Sequence, residues 1–166
     1  MGVVLVEGIS DRIALEAVAA KLGRDLVRDD VTIVPIGGAQ AIARAAARYA
    51  GARVAGLCDA REEGWFRRAL GDAVYVCTEN LEDELIRALG PERAEAVIVE
   101  EGDLETFRSF QNQPAWRGRP HDAQLRRWLH AADRRNSRYP PLLVAALDPA
   151  EIPPPLAGVL AAVGAF

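Results

Sequence analysis

The first half of the chain alternates short apolar runs with longer segments of mixed polarity. Four runs rich in branched apolar residues predict buried strands, at 3–6, 31–35, 53–58 and 73–77. Apolar residues at helical spacing follow three of them and predict helices, at about 11–22, 40–50 and 81–89. A short segment around residues 65–70 precedes the fourth run. Strands separated in this way by helices are typical of an α/β fold with a parallel sheet.

Beyond residue 90 the pattern becomes entirely helical. A Gly-Pro pair at residues 90–91 ends the last alternating unit, and residues 112–120 contain two prolines and a glycine that predict a loop. The predicted helices are 91–101, 103–113, 121–134, 142–147 and 154–163. We expect an α/β core over residues 1–90 and a helical C-terminal appendage over residues 91–166, packed together as a single compact domain.

Composition narrows the class of protein. The chain has 166 residues, of which 50% are hydrophobic, enough for one real core. Its apolar runs stay below the roughly 18 residues of a membrane span, and a strand begins without a preceding cationic segment, so we expect neither a membrane helix nor a signal peptide. Cys58 and Cys77 lie near predicted strand ends outside any Cys-x-x-Cys pattern, which favours buried, reduced thiols in a cytoplasmic protein over a zinc site.

The charge balance argues against a broadly basic nucleic-acid surface but does not exclude a nuclease. The net charge is −4, although metal-binding carboxylates would bias this count and basic charge could be local. Lys21 is the only lysine among 20 basic residues. Any step that needs an active-site cation must therefore use Lys21 or an arginine.

Carboxylates follow three of the predicted strands. Glu7 ends the first, with Asp11 in the next helical turn, Asp59 follows the third, and Glu82 opens the helix after the fourth. The carboxyl ends of parallel strands share one sheet edge, so these groups could meet there. Clustered carboxylates raise each other's pKa, and a divalent cation with hard oxygen ligands, Mg²⁺ or Mn²⁺, removes that cost. Taken alone, the acidic run from Glu82 is more typical of a solvated helix start, but beside Glu7 and Asp59 a role as a metal ligand is favoured.

A pair of glycines after the second strand has two interpretations. Gly37 and Gly38 permit a tight turn before a helix, where a phosphate could bind. A simple strand-to-helix connection is the favoured interpretation. The segment is not a P-loop, because no Gly-Lys-Ser/Thr follows.

Three segments resemble the TOPRIM domain, the metal-dependent phosphodiester module of topoisomerases, primases and some nucleases. The segments are Val6-Glu7-Gly8-Ile9-Ser10-Asp11, Asp59 at the first position of an Asp-x-Asp pair, and Asn80-Leu81-Glu82-Asp83. The chain most resembles the TOPRIM half of OLD (overcoming lysogenization defect) family endonucleases. This resemblance implies a small Rossmann-like parallel sheet and Mg²⁺- or Mn²⁺-dependent hydrolysis of DNA, with Glu7 and Asp59 indispensable.

Two departures from the family pattern leave alternatives open. Arg61 replaces the second acid of the Asp-x-Asp pair, and Glu62 or Glu63 could supply the missing carboxylate. If Arg61 points into the site we expect one metal; if it points away, Glu62 or Glu63 can complete a second metal site with Glu82.

The second departure concerns the basic segment before the last helices. OLD-type nucleases have a catalytic lysine there, whereas residues 134–139 contain none, so Arg135 and Arg138 are the catalytic candidates. Arginine can stabilise developing phosphate charge but does not deliver a proton as lysine can. For His121 and His130 we expect surface or packing roles, because neither has a second ligand at helical spacing.

Three functional hypotheses follow from these observations. The first is a TOPRIM endonuclease that hydrolyses DNA, because no tyrosine matches a topoisomerase position. In the OLD family an ATPase domain precedes this module on the same chain, and no Walker sequence occurs in these 166 residues. The resemblance therefore implies an ATPase domain, separate or fused, as a partner. The alternative is a degenerate, non-catalytic TOPRIM module that binds nucleic acid or a protein partner. A third is a receiver-like domain phosphorylated on Asp59, which would need a lysine after a later strand.

Overall fold

A computed structural model describes residues 1–164 and shows a four-stranded parallel sheet with the strand order β2-β1-β3-β4. The strands are β1 (Gly2–Val6), β2 (Val31–Pro35), β3 (Arg53–Asp59) and β4 (Val74–Cys77). The predicted α/β class and parallel sheet are therefore confirmed, and each strand lies within one residue of its predicted bounds.

Helices connect the four strands, and the described chain after β4 is helical. A 3₁₀ turn (Ala39–Ala41) precedes the second helix. The α-helices within residues 1–164 are α1 (Ile9–Lys21), α2 (Ile42–Arg48), α3 (Glu63–Leu70), α4 (Leu81–Leu89), α5 (Pro91–Glu100), α6 (Leu104–Gln111), α7 (His121–His130), α8 (Asp133–Ala146) and α9 (Pro154–Val163).

Helices α7 and α8 differ from their predicted bounds. The sequence predicted a helix to Arg134 and a separate one over 142–147, whereas α7 ends at His130 and α8 runs from Asp133 through Pro140 and Pro141. Interior prolines remove helical hydrogen bonds and normally end a helix. Here Pro140 and its neighbour Tyr139 are buried where α8 packs on α1 and α4, and this burial offsets the cost.

The central strand β1 is buried on both faces, as its unbroken apolar sequence requires. Because side chains alternate along a strand, Val3 belongs to one hydrophobic cluster with Phe66 of α3, and Val4 to another with Leu15 of α1. The sheet therefore has helices on both sides, with α1 on one face and α3 on the other.

The strand order places a crevice between β1 and β3. The chain passes from β1 to β2 on one side of β1, then crosses to β3 on its other side. In open α/β sheets, ligands bind outside the carboxyl ends of the strands at this reversal.

The later helices pack directly on the sheet. Helix α9 contacts β1, β3 and β4, and α8 contacts α1. A Cβ added to Gly158 of α9 would lie 2.6 Å from Cε1 of Tyr75, so glycine permits the close approach to β4. The division at residue 90 stays a prediction. No helix among residues 1–164 is long and apolar enough to cross a membrane.

Candidate metal centre

A cleft of about 530 Å³ opens at the carboxyl edge of the sheet, at the reversal between β1 and β3. Its walls come from the loops after β1, β2, β3 and β4 and from the end of α7 and the start of α8. The polar residues that line it are Glu7, Ser10, Asp11, Asp59, Glu62, Asn80, Glu82, His130 and Asn136.

Three carboxylates converge at the mouth of this cleft. One oxygen each from Glu7, Asp59 and Glu62 lies within 4.8 Å of the others. Like charges at this separation repel by roughly 3 kcal/mol per pair in a partly buried site. Their meeting is enforced by the loop after β3, where Oδ1 of Asp59 accepts hydrogen bonds from the backbone N–H groups of Arg61 (2.8 Å) and Glu62 (3.2 Å).

Glu62 carries the clearest sign of a missing partner. Its Oε2 is buried and has no hydrogen-bond partner among the described residues. Burial, followed by contact with Glu7 and the charge of Asp59, raises the pKa of Glu62 to about 8. A hard divalent cation would satisfy this oxygen and cancel the repulsion, so the three carboxylates fit Mg²⁺ or Mn²⁺.

Asp11 lies deeper in the same cleft, in the first turn of α1. Its Oδ2 accepts the N–H of Gly8 at 2.9 Å, which fixes the side chain at the helix start. Burial raises the pKa of Asp11 to about 6, the Gly8 hydrogen bond opposes this rise, and the charges of Glu82, Glu7 and Asp59 add to it.

Glu82 forms the opposite wall together with two residues of the helical segment. Glu82 is only 6% exposed, and burial raises its pKa. Nε2 of His130 lies 3.8 Å from Oε2 of Glu82, and neither this nitrogen nor Oδ1 of Asn136 has a hydrogen-bond partner within residues 1–164. Burial and the charge of Arg127 lower the pKa of His130.

His130 and Asn136 are the cleft residues of the helical segment that sequence reasoning missed. They stand at the end of α7 and the start of α8, where helical spacing gives no signal of what faces the sheet edge. His121, in contrast, has the expected packing role, stacking on Phe107 and contacting Glu95 through Nε2 at 2.7 Å.

The acidic run of α4 is not a solvated helix start. Glu82, Asp83 and Glu84 are all buried. Asp83 pairs with Arg87 and Arg126, and Oε1 of Glu84 accepts the N–H of Thr78 at 2.7 Å. Glu82 alone of the three faces the cleft, while the other two hold α4 in place.

The structure separates the two candidates for the missing acid. Glu62 joins the cluster, whereas Glu63 points outward and pairs with Arg67 at 2.5 Å. Arg61 lies outside the cleft lining, and its side chain lines a neighbouring groove. The predicted role of Glu63 is thus not supported, since its carboxylate is engaged with Arg67.

The two arginines predicted to be catalytic lie elsewhere. Arg135 donates to the carbonyl of Trp128 at 2.7 Å and stacks on its ring, and Arg138 pairs with Glu101 and Asp103. Of residues 134–139, only Asn136 lines the cleft. Lys21 also lies outside the cleft lining and donates to the carbonyl of Ala145 at 2.8 Å.

Both cysteines are free, buried and part of the cleft wall. Burial, with the charges of Glu62 and Asp59, raises the pKa of Cys58 to about 12, and burial also raises the pKa of Cys77. The thiols therefore stay protonated near neutral pH, and the oxygen ligands define the site.

Comparison with protein families bears on these residues directly. A family model described as "Overcoming lysogenization defect protein-like, TOPRIM domain" matches residues 1–60, which contain Glu7, Asp11 and Asp59. The resemblance to the OLD-like TOPRIM domain is confirmed. Glu62 and Glu82 lie beyond the matched residues.

Solved structures extend the likeness of fold along the chain. The C-terminal region of the Xanthomonas campestris pv. campestris OLD protein superposes with a TM-score of 0.69 at 18% identity, covering 98% of this chain and 93% of that one. The C-terminal region of the Burkholderia pseudomallei OLD protein gives 0.66 at 16% identity, with 98% and 96% coverage. No curated protein matches the sequence. The small parallel-sheet TOPRIM core with its helical appendage is thus a known fold.

Proposed function

We propose that this chain is a nuclease module that hydrolyses DNA phosphodiester bonds with Mg²⁺ or Mn²⁺. The observation that carries the proposal is the cluster of Glu7, Asp59 and Glu62, held within 4.8 Å at the strand-order reversal without a positively charged partner among residues 1–164. The OLD-like TOPRIM match over residues 1–60 supports a nuclease-type module.

Each carboxylate has a distinct task in this proposal. Glu7 and Asp59 are the indispensable ligands, and Glu62 supplies the acid that the Asp-x-Asp position lacks. A cation held by these carboxylates would supply a group that orients a phosphate, activates water and stabilises the leaving oxygen. The turn that fixes Oδ1 of Asp59 keeps this ligand in place before substrate arrives.

Asp11 and Glu82 extend the oxygen lining behind the cluster. Both line the same cleft, and both have a raised pKa. We propose that they order water and complete a second cation site. Hydrolysis is favoured over strand transfer because no tyrosine within residues 1–164 lines the cleft or the adjoining groove.

Nicking of supercoiled plasmid with Mg²⁺ or Mn²⁺ tests the proposal. We expect Glu7→Gln and Asp59→Asn each to lower nicking at least about 100-fold, because each removes a cation ligand. Glu100→Gln removes the same charge at an exposed site of α5 and should leave nicking unchanged. Equal nicking by the wild type and the two cleft variants would refute the assignment.

A non-catalytic module is the second candidate function. The observation in its favour is that neither arginine proposed for catalysis, nor Lys21, lines the cleft. Titration with Mn²⁺ separates the two candidates, since a scaffold would not bind the ion at millimolar concentration. Binding at one or two sites, lost in Glu7→Gln, supports the enzyme.

We further propose DNA as the substrate and an ATPase domain, fused or separate, as the working partner. Support comes from the solved structures of similar fold, which are C-terminal regions of OLD proteins. Co-purification with such a domain, with ATP-dependent change in nicking, would test this partnership.

A further inference from the structure

A second groove continues from the metal cleft across the surface of α2 and α3. It encloses about 650 Å³ and shares Glu7, Glu62 and the Gly37–Gly38 turn with the cleft. Its far wall carries Arg44, Arg61 and Trp65. A ligand bound in this groove would therefore meet basic and aromatic side chains within reach of the carboxylates.

The two arginines of the groove are available to bind an anion. Arg44 and Arg61 are exposed, and neither forms an ion pair or donates a side-chain hydrogen bond within residues 1–164. Arg67 of the same face differs, because Glu63 occupies its guanidinium at 2.5 Å. A free guanidinium offers its planar fork to a phosphate, whereas a paired one would first have to release its carboxylate.

Trp65 is exposed on the groove, although a large aromatic side chain is usually buried. Its relative exposure is 45%, against 1% for Trp128 in the core. The guanidinium of Arg68 lies 5.5 Å from the centre of the Trp65 ring. Proteins that bind single-stranded nucleic acid commonly combine exposed aromatic rings with basic side chains. The bases stack on the rings and the phosphates contact the basic groups.

We propose that this groove binds an unpaired stretch of the substrate strand next to the scissile phosphate. Phosphates lie on Arg44 and Arg61, and one base stacks on Trp65. In a duplex the faces of each base are covered by its neighbours, so only an unpaired base can use the ring. The position of the scissile phosphate rests on the proposed function, but binding of the strand does not require hydrolysis.

Fluorescence anisotropy in EDTA tests strand binding without cleavage. The probes are a labelled oligothymidylate of about 12 nucleotides, within the usual site sizes, and the same strand as a duplex. We expect Trp65→Ala to weaken oligothymidylate binding about tenfold and duplex binding less than about twofold. Oligothymidylate should also quench tryptophan fluorescence in the wild type and not in Trp65→Phe.

Arg44 has a matched control, Arg48, on its own helix. Arg44→Ala and Arg61→Ala should each weaken oligothymidylate binding and lower the slope of log K against log salt by about 0.7, the value for one lost single-strand phosphate contact. Arg48→Ala removes an equal charge one turn from Arg44, outside the groove lining, and should keep the wild-type slope. Urea midpoints check that each surface variant is folded.

Three outcomes would overturn the groove assignment. These are equal losses of single-strand and duplex binding in Trp65→Ala, an Arg48→Ala slope as low as that of Arg44→Ala, or unchanged quenching in Trp65→Phe. The proposed function fails separately, through nicking that survives Glu7→Gln while strand binding behaves as expected.

Discussion

The acids of the metal cleft and the acids of the helical segment differ in how their charge is balanced. In the cleft, Glu7, Asp59 and Glu62 face one another, and none of the three forms an ion pair within residues 1–164, although backbone N–H groups donate to Asp59. In the helical segment, Asp83 pairs with Arg87 and Arg126. The same residue types thus form an uncompensated cluster in one region and closed ion pairs in the other.

This difference distinguishes acids that stabilise the fold from acids that are suited to bind an ion. An acid with a guanidinium partner is satisfied by the chain itself and holds two helices together, as the half-buried Asp103 does with Arg138 and with the hydroxyl of Tyr139 at 2.6 Å. Acids that repel each other cost stability in the folded protein, so their partner must come from solution. The lack of a positively charged partner, rather than the number of acids, identifies the edge of the sheet that is suited to bind an ion.

The largest effect on stability is expected where a closed pair is opened. Asp83→Asn removes charge-assisted hydrogen bonds to Arg87 and Arg126 and should lower the free energy of unfolding by about 3 kcal/mol, measured by urea denaturation. Asp122→Asn is the matched control, because Asp122 contacts the same Arg126 at 3.1 Å but is half exposed. Its loss should be below about 1 kcal/mol. Equal effects would show that burial of Asp83 contributes nothing.

A second prediction concerns the pH dependence of Mn²⁺ binding in the cleft. The pKa of Glu62 is about 8 and that of Asp11 about 6, so a cation must displace protons that these groups hold near neutral pH. Calorimetric affinity for Mn²⁺ should therefore rise about tenfold or more from about pH 6 to about pH 8. Glu62→Gln should flatten this rise. Affinity that is independent of pH would contradict the proposed ligand set.

A third, smaller effect concerns stability without metal. The pKa of Glu62 rises from 4.5 to about 8 on folding. Between these values the folded protein keeps a proton that the unfolded chain has lost, so stability falls as pH rises through this window. Glu62→Gln should raise the free energy of unfolding near pH 8 by about 1 kcal/mol, allowing for solvent screening, and have no effect near pH 5.

The neighbouring glutamate is the control for that experiment. Glu63→Gln removes the same charge one residue away, where Arg67 balances it. It should not stabilise the protein at any pH. Stabilisation by both variants would mean that general negative charge, and not the cleft cluster, lowers stability.

The fold could be predicted well because it depends on local patterns. The run from Val3 to Val6 has no polar position, which fits only a strand buried on both faces. The failure at α8 has a tertiary cause, since Pro140 and Pro141 argue for a break and only burial against α1 and α4 overrides them. Such burial is not encoded in the local sequence.

The site could be predicted in part, for a related reason. Glu7, Asp11, Asp59 and Glu82 follow strands, and strand ends have a defined place in a parallel sheet. Whether Glu62 or Glu63 reaches the cluster depends on the conformation of the loop after β3, which the local sequence does not specify. His130 lies at the end of α7, which does not directly follow a strand. The sequence pattern therefore did not place it at the sheet edge, and its position in the cleft became visible only in the structure.

The smallest effect is expected at His130, and it tests whether the cleft is truly uncompensated. A protonated imidazole 3.8 Å from Glu82 would balance that wall, as Arg126 balances Asp83. Burial and Arg127 lower the pKa of His130, however, so the ring is neutral at pH 7 and forms no ion pair. His130→Gln should then change the free energy of unfolding at about pH 8 by less than about 0.5 kcal/mol.

The pH dependence of stability gives a second measurement on the same variant. Below pH 6.5, the ordinary pKa of histidine, the unfolded chain binds a proton at His130 more readily than the folded protein does. His130 therefore makes the stability of the wild type increase with pH in that range, and the variant should lose this increase. A loss above about 1 kcal/mol at pH 8 would instead show a charged histidine paired with Glu82, and the cleft would resemble the helical segment on that wall.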